Sequence, residues 1–295
     1  MNDKRFSYAS GGFCDRDIFS ALDAIAGVGF SQVELLGQKP HVEGPPKGKQ
    51  LKKLIHHLDS VGLKVPTVHA PLGKNTLAAP DEQWHRAAME TLAEYIEFTA
   101  EVHALAMIVH PVPFPDFVPE ASQDDLINRA VEFARRSLDE LLPIAQHAGV
   151  CLLLENLPFA CNYPLLTMKE LRPLIDTYPK EHVGLVMDTG HALLLREDPV
   201  EEIILAGDRL RGVHLHDANG TIAHLPPMFG QLDWQAVLVA LKKVDYCGAW
   251  TFEVGCSKEN HSPEDLAKMC YQFSLTWANS LEESSSEQPV TRSNQ

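Results

Sequence analysis

The stretch Val183-Gly-Leu-Val-Met-Asp-Thr-Gly-His191 decides how the rest of the chain is read. A short apolar run ends abruptly in an acid, Asp188, and an imidazole, His191, follows within one turn. A run of this length reads as a buried strand. An acid and an imidazole at the end of such a strand are costly unless they meet a partner, a hydrogen bond or a metal. The reading therefore turns on whether other strands bring polar ends to the same place.

Working outward, the same unit recurs on both sides. Upstream lie strand patterns at Phe6 to Ser10, Phe30 to Leu36, Leu63 to His69, Leu105 to His110 and Val150 to Glu155; downstream lie Leu210 to His216 and Ala249 to Glu253. Helical patterns separate them, with Leu51, Leu54, Ile55 and Leu58 on one face of the second. Longer helices are expected from about Asp81 to His103 and from Gln123 to His147, and a shorter one from Val200 to Gly207 after the Asp188 strand. Asp15 is expected to cap the first helix and Asp233 the one that opens at Trp234, with Trp234 in the core. Strand–helix units repeated eight times without a composition break predict an α/β protein, a single parallel (β/α)8 TIM barrel over residues 1–281. An open doubly wound sheet is disfavoured because no Gly-rich dinucleotide fingerprint follows a strand; Gly27-Val-Gly29 precedes one. Beyond Leu281 the composition turns to Glu, Ser, Gln and Asn, so 282–295 is expected to be a disordered C-terminal tail.

Bulk properties narrow the function. The formal charge of -15 repels phosphate backbones and anionic lipid and argues against a nucleic-acid partner. Lys47, Lys49, Lys52 and Lys53 read as a solvated helix start. No run approaches the ~18 apolar residues of a membrane span. The six cysteines show no CxxC spacing and read as free thiols in a reducing compartment, which predicts a cytoplasmic protein.

Most of the strands end in a residue that can bind a metal or move a proton: Glu34, His69, His110, Glu155, Asp188, His214 or His216, and Glu253. Side chains alternate along a strand, and counting back by two from these ends gives Gln32, Thr67, Ile108, Leu153, Val186 and Thr251, most of them small or apolar. The polar ends should therefore point inward at the C-terminal mouth, where barrel active sites are built. So many carboxylates share one mouth only with a cation among them. Three carboxylates and a His form an oxygen-rich set suited to Mn²⁺, Mg²⁺ or Co²⁺, with Zn²⁺ compatible through the imidazole.

The motifs Leu154-Glu-Asn156, Met187-Asp-Thr-Gly-His191, Val213-His-Leu-His-Asp217 and Trp250-Thr-Phe-Glu-Val254 resemble the xylose isomerase-like TIM-barrel superfamily. That superfamily holds sugar and sugar-phosphate isomerases and epimerases together with endonuclease IV-type enzymes, and the resemblance spans Phe30 to Glu253. It implies one divalent ion on Glu155, Asp188, His214 and Glu253. His216 competes for the imidazole place, and the His-x-x-Asp spacing of His214 and Asp217 favours His214. The resemblance also implies that His191 stands near the substrate. The endonuclease-like members hold three zinc ions, and their ligands match His69, His110, Glu155, Asp188, His191, His214 and Glu253. Their Asp-x-His pair falls here on Ile222-Ala-His224, so the Asp is missing. The Arg that often follows the metal His in the sugar epimerases is also missing; Asn219, Gly220 and Thr221 stand there instead.

The expectation is a divalent-metal-dependent isomerase or epimerase of a sugar or keto-polyol. Glu155 and Glu253 would remove and return a proton through a metal-stabilised enediolate, and His69, His110, His191, His216 and His224 would bind substrate hydroxyls. An endonuclease-like phosphodiesterase, a keto-sugar lyase or dehydratase, and a binding protein without turnover are the rivals. The Pro-rich stretch Pro111 to Pro119, with Phe114 and Phe117, is a candidate lid or homo-oligomer contact.

Overall fold

The computed structural model describes residues 5–255 and 261–286, the side chains of 278–286 excepted. Eight parallel strands close into one barrel in sequence order. They are β1 Phe6–Ala9, β2 Val33–Leu36, β3 Thr67–His69, β4 Ala106–Val109, β5 Cys151–Glu155, β6 Val183–Asp188, β7 Leu210–Leu215 and β8 Trp250–Phe252. β1 pairs with both β2 and β8, which closes the ring and leaves no free edge. The expected (β/α)8 barrel is therefore present.

Parity along each strand sorts the side chains. Leu152 and Leu154 of β5 and Val183, Leu185 and Met187 of β6 face the helices and join the main hydrophobic core. Leu153 and Val186 face the barrel axis and pack with Ala106 and Ile108 of β4 in a small separate cluster. Fully burying one such aliphatic side chain stabilises by ~1.5–3 kcal/mol, so slipping a strand by one residue is strongly disfavoured. Glu155 and Asp188 share the inward parity of Leu153 and Val186 and stand at the C-terminal end of the axis.

β7 obeys this rule only through an irregularity. Its register against β6 runs Leu185 to Leu210 and then Val186 to Gly212, so Arg211 is an extra residue. Leu210 belongs to the outer core, and so do Val213 and Leu215. The bulge thus inverts the parity of the strand and turns Gly212 and His214 inward, as bulges beside functional sites commonly do.

The helices are α1 Ile18–Val28, α2 Lys49–Val61, α3 Glu82–Glu101, α4 Glu120–Ala148, α5 Met168–Ile175, α6 Thr189–Leu195, α7 Pro199–Ala206, α8 Trp234–Lys243 and α9 Pro263–Ser286. Asp233 caps α8 by accepting from Ala236, as expected, and Trp234 is buried. Asp17 rather than Asp15 caps α1, accepting from Phe19 and Ser20. Asp15 instead pairs with Arg16 at 2.8 Å, because it sits too early in the chain to reach the first turn. α6 was not expected. It opens directly on the strand end because Asp188 itself accepts from His191 N–H.

α9 continues past Leu281 to Ser286, since Ser and Glu there tolerate helix on the end of an established one; the rest of the expected tail lies outside the described residues. Cys14 is disulfide-bonded, which corrects the reading of all six cysteines as free. Cys151, Cys161, Cys247 and Cys270 are free thiols. No helix among the described residues is long and apolar enough to cross a membrane.

Candidate metal centre

Glu155, Asp188, His214 and Glu253 converge at the C-terminal mouth, with one ligand atom from each lying within 4.8 Å of the others. His214 Nδ1 is 2.7 Å from Glu155 Oε1, 3.1 Å from Glu253 Oε2 and 3.8 Å from Asp188 Oδ2. Glu155, Asp188 and His214 are buried, whereas the Glu253 side chain is 23% exposed. Three carboxylates around one ring nitrogen form a set of acceptors that a single proton does not satisfy. Glu253 Oε2 is buried yet accepts no hydrogen bond. This donor set, with its orphaned oxygen, fits a divalent cation.

The electrostatics agree. Burial opposes charge on His214, but Glu34, Glu253 and Glu155 outweigh it and raise the imidazole well above its usual range. Burial likewise opposes ionisation of Glu155 and Glu253, and His214 outweighs it and holds both well below the ordinary carboxylate range. Asp188 behaves differently. Burial dominates there and, with Glu155 and Glu253 nearby, raises it to about 6 despite His191.

A second group lies on the other side of Glu155. His69 Nε2 and His110 Nε2 approach Glu155 Oε2 at 3.2 and 3.3 Å. His69 Nδ1 donates to Ala70 O at 2.8 Å, so a neutral His69 would turn a bare Nε2 lone pair toward a carboxylate oxygen. The conflict ends when His69 is an imidazolium or when a cation lies between the groups. Burial opposes the charge, but Glu155 prevails and raises His69 to about 9. Burial lowers His110, whose Nδ1 has no partner.

The third group is made of imidazoles alone: His191, His216 and His224. His191 Nδ1 donates to Asn156 O at 2.9 Å, and His224 Nδ1 donates to Glu253 O at 2.9 Å. Each therefore keeps an Nε2 lone pair. His216 is committed on both sides. Its Nδ1 accepts from His224 N–H at 2.9 Å and its Nε2 donates to Asp188 Oδ2 at 2.8 Å. It is fully buried, and burial holds it well below its usual range, so it is neutral. Gly190 makes room for it, because a Cβ there would collide with the His216 ring.

The profile of the xylose isomerase-like TIM barrel family matches residues 22–272. The chain belongs to this family. An uncharacterised protein of Methanocaldococcus jannaschii is 26% identical over 254 residues, 85% of this chain and 84% of that protein. A D-psicose 3-epimerase of Enterocloster bolteae is 26% identical over 234 residues, 79% of this chain and 75% of that enzyme. A solved D-tagatose 3-epimerase-like protein superposes with a TM-score of 0.81 at 22% identity, covering 96% of this chain and all (100%) of that one. Relatives within the family thus include sugar 3-epimerases, and this member carries side-chain groups able to hold a metal.

Three residues outside the expected ligand and substrate-binding sets position this family member's mouth. Asn156 bridges β5 and β6, donating to Asp188 O at 3.0 Å and accepting from Asp188 N at 2.7 Å. Asp217 ties down the loop after β7 by accepting from Met228 N, Leu232 N and Trp234 Nε1. Both stood in the motifs quoted above, but their partners are distant in sequence. The third is Glu34, which meets His214 Nε2 at 3.1 Å. The Pro-rich stretch contributes Phe114, whose ring packs edge-on against His110 at 5.7 Å and tilted against Phe159 at 5.1 Å. Ile222, at the position of the missing Asp, is 44% exposed.

Proposed function

We propose that the protein is a divalent-metal-dependent epimerase or isomerase of a ketose sugar or keto-polyol. The observation that carries this reading is the pair of carboxylates that converge on His214 Nδ1: the buried Glu155 at 2.7 Å and the partly exposed Glu253 at 3.1 Å, whose Oε2 accepts no hydrogen bond. The four residues Glu155, Asp188, His214 and Glu253 would hold the ion. The ion, Mn²⁺, Mg²⁺, Co²⁺ or Zn²⁺ by donor chemistry, would stabilise the negative charge that develops on a carbonyl oxygen when the neighbouring C–H proton leaves.

The chain's own groups divide the remaining work. Glu253, partly exposed and held ionised by His214, is suited to take the proton. Glu155, which meets the same His214 nitrogen through Oε1 and is backed by His69 and His110 at Oε2, is suited to return it. His191 Nε2 and His224 Nε2 accept hydroxyl donors, and His69 and His110 line the other wall with Phe114 covering them. His216 orients Asp188 rather than touching substrate. The relatives' names support a small ketose as substrate, and the acidic surface fits a neutral sugar better than a polyanion.

The test is a screen of ketoses and keto-polyols in deuterated solvent with added metal, read as proton exchange at one carbon. Glu253→Gln and Glu155→Gln should each slow that exchange by ~10²–10⁴-fold; unchanged exchange in both would refute the two-carboxylate reading. A second reading, an endonuclease IV-like phosphodiesterase, draws support from the His69, His110 and Glu155 group and from the three-imidazole group beside it. It predicts two or three bound zinc ions and cleavage of abasic DNA. The absent Asp at Ile222 and the charge of -15 count against it.

A further inference from the structure

The site uses one imidazole, and that imidazole has two nitrogens. His214 turns Nδ1 to Glu155, Glu253 and Asp188 and Nε2 to Glu34, at 3.1 Å from Oε1 and 3.3 Å from Oε2. Glu34 lies on β2, across the barrel from β7, and is 2% exposed. Thr67 Oγ1 of β3 donates to its Oε2 at 2.6 Å. A cavity of about 630 Å³ opens through the N-terminal face of the barrel and ends against Glu34, Thr67, His214 and Thr251. Glu34 thus stands at the inner end of that cavity, and its polar contacts there are the Thr67 hydroxyl and His214 Nε2.

A metal-ligating nitrogen needs a bare lone pair, and a neutral imidazole has one N–H to give. Were that proton on Nδ1, it would stand where the ion is bound, and the Nε2 lone pair would oppose a buried carboxylate. With the proton on Nε2, both conflicts vanish. Metal-bound histidines commonly donate their second N–H to a carboxylate, which sets the tautomer and raises the basicity of the ligating nitrogen. We propose that Glu34 is a positioning residue that fixes His214 in the Nε2–H tautomer, with Thr67 holding Glu34 in place. This rests on the metal centre proposed above and adds the part of it that lies inside the barrel.

The test measures Co²⁺ affinity by chelator competition and the ligand-field absorption of bound Co²⁺, with no substrate present. Glu34→Gln keeps the shape but offers an amide that donates as readily as it accepts, so the tautomer is no longer held. The expected result is an affinity weaker by about 10–100-fold, an altered Co²⁺ spectrum and an unchanged fold by circular dichroism. Thr67→Val should weaken Co²⁺ binding by a smaller factor, and Thr67→Ser, which restores the hydroxyl, should bind like the wild type. Wild-type protein that binds no Co²⁺ would sink the metal centre itself. Tight wild-type binding, matched by Glu34→Gln with the same spectrum, overturns the role of Glu34 alone. If Glu34→Gln does not fold, the Thr67 pair decides: equal affinities for Val and Ser overturn the proposal.

Discussion

The mouth of this barrel holds two clusters side by side that resemble each other in burial and differ in what they lack. Glu155, Asp188, Glu253 and His214 bring three acids to one ring nitrogen, and Oε2 of Glu253 accepts no hydrogen bond. His191, His216 and His224 bring three imidazoles together, and His191 and His224 each already donate a proton to a backbone carbonyl. The first cluster is short of positive charge. The second is electrically quiet, with His191 and His216 both lowered, chiefly by burial. Proximity of metal-binding side chains is therefore a poor guide on its own; the count of lone pairs against protons separates a cation site from a neutral hydrogen-bonding wall.

The sharpest way to break this contrast is Asp188→Asn. It should leave the protein without a tightly bound ion, because losing one anionic partner of a buried charged group costs about 3–5 kcal/mol. Metal analysis after gel filtration reads the result, and full occupancy would erase the distinction between the clusters. His216→Ala comes next. Its ring belongs to the imidazole cluster by position but serves the acidic one through Asp188, so metal affinity should fall about 10–100-fold, as for other groups that orient a ligand.

The pH dependence sharpens the contrast further. His214 is raised well above its usual range without an ion, so it carries a second proton at neutral pH that metal binding must displace. Affinity should therefore rise with pH through neutrality and fall further below about 6, where Asp188 also takes a proton. Calorimetry in buffers of different ionisation enthalpy should show about one proton released per ion near pH 7. Proton uptake would reverse the sign and contradict the electrostatics of the acidic cluster. The smallest effect belongs to the imidazole wall. His224→Ala should leave metal content intact and raise KM by about 10-fold, near 1.4 kcal/mol for one substrate hydrogen bond. A loss of metal in that variant would make His224 a ligand instead.

Much of the site was legible because a strand imposes a period of two. Once Leu153 and Val186 are assigned to the barrel axis, Glu155 and Asp188 must follow them inward. β7 is the exception. A strict count outward from Leu210 would turn His214 away from the axis, and the bulge at Arg211 reverses it. The strand pattern offered His214 or His216, and the choice of His214 came from its His-x-x-Asp motif with Asp217. Capping by Asp17 was missed because Asp15 and Asp17 both precede the helix and only backbone geometry selects one, and the helix that begins at Thr189 was missed because Asp188 serves as both strand end and cap.

The amino-acid sequence by itself determined the closed eight-stranded barrel, the end of the barrel that carries the chemistry, and the residue types that meet there. These follow from local periodicity, which neighbouring residues impose on one another. The tertiary structure alone decided which nitrogen of His214 faces the acids, that His216 stands behind Asp188, and that Glu34 reaches across from β2. Those outcomes depend on contacts between strands far apart in the chain, such as Glu34 with His214 at a separation of 180 residues. Proton placement on an imidazole is set by its partners, and a linear pattern does not name them.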